Sequence, residues 1–96
     1  MSAFSKTVSV TSDSYPDQLH PQVLIPFEPT SVLISLLGAA DVCVSFSDGT
    51  KDDGKLVVGT ELRTQTWDIR SQGVWLRRAT VGAAVDVLVE ASEGPL

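Results

Sequence analysis

Cysteine is nearly missing from this chain. Cys43 is the only one in 96 residues, so no internal disulfide can form. A domain this short leaves a large share of its surface wet, and without cross-links it must draw stability from packing or from neighbouring subunits. Cys43 could bridge only to another chain, and burial as a small apolar side chain is the preferred reading. Histidine is equally scarce. His20 lies between Leu19 and Pro21, with no nucleophile or orienting acid that the sequence places beside it. The patterns G-x-S-x-G, H-E-x-x-H and C-x-x-C and a glycine-rich phosphate loop are all lacking. Enzymatic chemistry is therefore not expected, and no catalytic residue, metal or cofactor is assigned.

Positive charge is also thin. Seven Lys and Arg face twelve Asp and Glu, a formal net charge of −5, and the largest basic cluster is the pair Arg77–Arg78. Binding to a phosphate backbone needs more than that, so a nucleic-acid partner is not expected. No apolar run reaches the roughly 18 residues of a membrane-spanning helix, so no membrane partner is expected either. The start, MSAFSKTVSVTSD, lacks an apolar core between a basic region and a cleavage site. It does not read as a secretory signal, and synthesis in a cytoplasm is the expectation.

What the chain does contain is Val, Thr, Ile and Ser in short runs punctuated by Gly, Pro and Asp. FSKTVSV puts Phe4, Val8 and Val10 on one face and Ser5, Thr7 and Ser9 on the other. SDSYPDQLHP reads as a loop. QVLIPFEP resumes an extended segment, and Pro26, which has no N–H for a ladder, places it at a sheet edge or a bulge. SVLISLL sets Val32, Ile34 and Leu36 opposite Leu33 and Leu37. A short helix is the alternative there, but Pro29, Gly38 and the β-branched residues favour a strand. VCVSF, KLVVGT, RTQTWDI, GVWLRR and AAVDVLVEA complete seven or eight short strands in one domain spanning residues 1–96, with 1–3 and 92–96 expected to fray. Such a count at this spacing predicts an all-β antiparallel sandwich or barrel.

SFSDGTKDDG, residues 45–54, holds three Asp and two Gly. A calcium loop of the EF-hand type would need acids or amides at alternate positions, then Gly, then a closing acid. Here Thr50 occupies the second ligand position, Asp53 stands where Gly belongs, and Gly59 takes the place of the closing acid. The Asp-Gly pairs at 48–49 and 53–54 suit tight turns instead, and the stretch reads as a hairpin loop. Weak calcium binding is the lesser alternative.

Two features point to contact with other proteins. In VWLRR, Trp75 and Arg77 share a face, with Arg78 on the other beside Val74 and Leu76. Trp and Arg are enriched at interface hot spots. The competing reading has Trp75 capping the core and Arg77 paired with a nearby Asp. SVLISLL and the last strand, with Leu88, carry apolar residues on both faces, and those on the outer face need cover from a loop or a neighbouring subunit, unless they fill a tight barrel.

The series VLIPFEPTSVLISLLG, VCVSFSDGT, DGKL and VWLRRATVGAAVDVLVEA resembles small structural proteins of tailed-phage virions. The likeness covers roughly residues 20 to 91. It implies a jelly-roll-like β-sandwich that assembles as a homotrimer on the major capsid protein or with other virion proteins, and it carries over no catalytic residue. Trp75, Arg77 and Arg78 match its markers and, with Leu33, Leu37 and Leu88, form the expected interface set. The function so implied is capsid decoration, stabilising the head across capsid-subunit boundaries, with location in the virion. A head–tail connector, tail or fibre-base component is the alternative. From another class, a small carbohydrate- or calcium-binding sandwich would use Trp67 or Trp75 as a stacking plane.

Overall fold

Alternating side chains build two layers. The structure is a computed structural model that describes residues 2–93. Eight strands run in chain order: β1 (Ala3–Val10), β2 (Val23–Leu24), β3 (Ser31–Leu36), β4 (Val42–Ser45), β5 (Gly54–Leu56), β6 (Thr64–Trp67), β7 (Gly73–Arg78) and β8 (Val85–Ser92). The sole helical element among the described residues is a 3₁₀ turn, Glu61–Arg63, capped by the Thr60 hydroxyl. One sheet has the order β1-β8-β3-β6 and the other β2-β7-β4-β5, and every pairing is antiparallel.

First pairs with last, second with seventh, third with sixth and fourth with fifth. That nesting is a long antiparallel ribbon rolled up on itself, the eight-stranded jelly roll. The expected sandwich is the observed fold.

The inward rows are the expected ones. Val32, Ile34 and Leu36 of β3, Val74 and Leu76 of β7, and Val85, Val87 and Val89 of β8 are buried between the sheets. Each fully buried aliphatic side chain of this kind contributes about 1.5–3 kcal/mol. β2 is an edge strand of only two residues, and Pro26 follows it, in keeping with the missing N–H. Pro21 creates a similar gap one step earlier. By the Val23↔Val74 register it stands opposite Leu76 with no N–H to give. The Gln22 side chain fills the ladder instead, accepting from the Leu76 N–H at 2.7 Å and donating to the Leu76 carbonyl.

Two expectations need correction. Asp48 and Gly49 do form the turn of the β4–β5 hairpin, with φ of 57° and 73°. Asp53-Gly54 does not form a second turn. Gly54 opens β5, and a side chain there would collide with the Trp67 ring, 2.5 Å from an added Cβ. Its job is to make room. Nor do Ala3 and Ser92 fray: they pair with each other at the ends of β1 and β8, and Glu93 N–H donates to the Ser2 carbonyl at 3.0 Å. Residue 1 and residues 94–96 lie outside the described residues.

Candidate functional site

The two sheets treat their outer faces differently. On the β2-β7-β4-β5 sheet the outward row of β7 is Gly73, Trp75 and Arg77, beside Cys43 and Ser45 of β4. The segment Thr11–Gln22, which joins β1 to β2, lies across this face as a strap. Trp75 spreads over Gly73, where a Cβ would meet its ring at 2.5 Å, and its indole N–H donates to the Asp17 carbonyl at 3.1 Å. Only 4% of Trp75 remains exposed.

Arg77 anchors the strap by charge. Its Nε and Nη2 donate to the two Asp52 carboxylate oxygens at 3.2 and 2.8 Å, and its Nη1 reaches the Asp13 carbonyl at 3.4 Å. Tyr15 from the strap donates its hydroxyl to the same Asp52 carboxylate and lies beneath the Arg77 guanidinium, 5.4 Å from ring centre.

These contacts set the local proton affinities. The Arg77 fork and then the Tyr15 hydroxyl hold Asp52 below the ordinary carboxylate range. Burial first, and then the hydrogen bond to Asp52, push Tyr15 well above the usual phenol value. Burial also raises Cys43, which keeps it a thiol and a poor nucleophile. The cluster is built to hold a loop down. His20 sits in the same strap but is exposed, 3.6 Å from Asp17.

The acidic stretch is likewise occupied. Asp53 accepts from the Phe46 N–H at 2.6 Å and the Ser47 hydroxyl at 2.9 Å, while Asp52 serves Tyr15 and Arg77. Among the described residues no group of three or more His, Cys, Asp and Glu is placed to hold a metal ion. Both indoles are engaged within the chain, Trp75 beneath the strap and Trp67 edge-on to Phe46 with ring centres 5.3 Å apart.

The outer face of the β1-β8-β3-β6 sheet has no strap among the described residues. The registers lay its side chains out in rows across four strands. One row is Thr7, Leu88, Ser35 and Thr64, and the next is Ser5, Glu90, Leu33 and Thr66. Ala3, Ser92 and Ser31 follow, and on the other side Leu37 joins Asp86, whose carbonyl accepts its N–H at 2.9 Å. Small side chains surround a diagonal of leucines. Leu33 and Leu88 are half-buried in the middle of the sheet, and Leu37 is 52% exposed at its end. Across the first and third rows runs a shallow groove of about 560 Å³, with Leu33 at its centre and Ala3, Ser5, Thr66 and Ser92 around it. Asp86, which accepts from the Ser9 hydroxyl at 2.6 Å, and Glu90 give the face a negative sign.

The six residues expected at an interface thus separate. Leu33, Leu37 and Leu88 share the bare face; Trp75 and Arg77 lie under the chain's own strap; Arg78 is buried at one end of the sandwich, between the layers. Sequence reading missed Tyr15, Asp52 and Gln22, although an aromatic inside the polar run SDSYPDQ was a sign that this loop packs against something. Neither a family model, a curated protein nor a solved structure matches the chain.

Proposed function

We propose that the protein is a non-enzymatic assembly module whose bare sheet face docks onto other subunits. The observation that carries this reading is the contrast between the two outer faces, one covered by eleven-odd residues of strap and the other left with three leucines among small side chains. Ser, Thr and Ala cost little entropy to immobilise, so a flat face of this composition suits close approach by another surface.

Docking goes through the face rather than the β1 edge. Lys6 stands in the inward row of that edge strand, opposite Val89, and remains exposed; an inward-pointing charge is a known guard against strand-to-strand pairing. Asp86 and Glu90 favour a partner surface with Lys or Arg around an apolar centre.

Within that class, the resemblance of the strand motifs supports a tailed-phage virion protein, with capsid decoration as a homotrimer as the specific assignment. The jelly roll is an architecture that viral capsid proteins use, and lectins and other proteins use it too. The decisive experiment has two readouts. Light scattering of the wild-type chain and the double variant Leu33→Ser/Leu88→Ser, each checked for strand content by circular dichroism, tests the face; equal, monomeric masses for both would refute it. Mass spectrometry of purified particles tests the virion assignment, with hundreds of copies per particle expected for decoration and a dozen or fewer for a neck or tail component.

A further inference from the structure

Arg78 is an unpaired cation buried at the end of the sandwich. It closes the inward row of β7 after Val74 and Leu76 and is 7% exposed. Among the described residues no carboxylate lies within ion-pairing distance of it. The acid nearest to hand in β4, Asp41, is turned elsewhere, accepting from the Val58 N–H at 2.9 Å and facing Lys55 at 3.8 Å. The following loop, Ala79–Ala84, contains no acid at all.

The guanidinium lies against Gly82, where any side chain would strike Cζ, Nη1 and Nη2, and Nη1 donates to the Ala83 carbonyl. Nε has no partner, alone in that respect among the buried side-chain polar atoms of the described residues. Stripping an unpaired charge of water costs several kcal/mol, and a buried donor without a partner adds to it. A depression of about 190 Å³ adjoins this group, walled by Ala39, Ala40, Ala83, Ala84 and Val85.

We propose that this end pocket is a receptor for a single carboxylate, with the Nε edge of Arg78 as its donor. Three observations select the ligand. The charge calls for an anion. The volume lies below the roughly 300 Å³ at which pockets take drug-sized ligands, which excludes nucleotides and sugars. The walls are alanine and valine side chains with no further polar side chain, so a tetrahedral phosphate would leave oxygens unmet, whereas a planar carboxylate matches the two parallel N–H bonds of a guanidinium edge. The carboxylate can belong to a small free acid or to an Asp or Glu side chain of a docking protein. The chemistry at Arg78 is the same for both.

The test is an NMR titration of the wild-type protein, following the Arg Nε–H resonances at constant ionic strength. Sodium acetate stands for a free acid, N-acetylglutamate α-amide for a protein side chain, and sodium chloride is the control. The expected result is a saturable, millimolar shift of the Arg78 signal with a carboxylate and none with chloride, while Arg63 and Arg70 stay still. Tighter binding of acetate would assign the site to free acids, and tighter binding of the glutamate amide to a protein partner. Arg78→Lys keeps the charge but loses the paired edge, and should weaken the response at least about tenfold. An Arg78 signal that does not saturate, or that follows chloride equally, overturns the proposal, and this wild-type readout stands even if the variant fails to fold.

Discussion

The two outer faces of this sandwich are solutions to one problem. Each sheet has an inner row packed on the core and an outer row that must meet water, a loop or a neighbour. The β2-β7-β4-β5 sheet places its large residues, Trp75 and Arg77, outward and covers them with Thr11–Gln22. The β1-β8-β3-β6 sheet places Ser, Thr and Ala outward, sets leucines among them, and leaves them open. One face is finished by the chain itself; the other is finished, on our reading, by another subunit. Substitutions on the first should therefore cost folding, and substitutions on the second should cost association.

The largest effect should come from Trp75→Ala. It empties the space under the strap and removes the hydrogen bond to Asp17, with an expected loss of about 3–5 kcal/mol in urea unfolding. A loss under about 1 kcal/mol would mean that the strap does not depend on the indole.

Asp52→Asn comes next. It weakens the Arg77 fork and the Tyr15 bond together, and because the pair is partly exposed to solvent a loss of about 1–2 kcal/mol is expected. The pH dependence carries a sign. Asp52 is depressed in the fold, so its contribution is complete above its ordinary value of about 4 and is lost as pH falls through the lower folded value. Unfolding curves of the variant should show a shallower decline on the acid side than the wild type.

Tyr15 tests the same strap from the alkaline side. It is the only tyrosine, so phenolate absorbance reports it without ambiguity. Its pKa is raised in the fold, so its contribution is present below about 10 and is lost as pH rises through the folded value. Ionisation should occur well above pH 10 and coincide with loss of structure. A simple titration near 10 in an intact fold would detach Tyr15 from Asp52.

The smallest effect on stability belongs to the bare face. Leu33→Ser and Leu88→Ser should each cost less than about 1 kcal/mol in the monomer, because both side chains are only half-buried. If they instead cost as much as Trp75→Ala, the two faces would not differ in kind.

Much of this contrast was legible in the residues. The period of two in SVLISLL and AAVDVLVEA sorted inward from outward side chains, because burial on one face enforces that alternation. Strand alternation also put Trp75 and Arg77 on one face. It could not say what covers them. The strap is held by Tyr15, Asp52 and Arg77, which lie 37 and 25 residues apart in the pairs that bond, and no local pattern encodes a contact of that separation. Gly54 misled for a related reason: beside Asp53 it looks like a turn residue, yet its small size is required by Trp67, which is thirteen positions away. The unpaired state of Arg78 is likewise a property of the folded end of the sandwich, invisible in the dipeptide Arg77–Arg78.

The rolled ribbon has a consequence in time. β8 is the last strand to leave the ribosome and sits between β1 and β3, so the bare sheet cannot exist until nearly the whole domain has been synthesised. Pairings of such high sequence separation form slowly. A nascent chain therefore carries its scattered leucines on unpaired segments, and the flat adhesive surface comes into being only with a finished protomer.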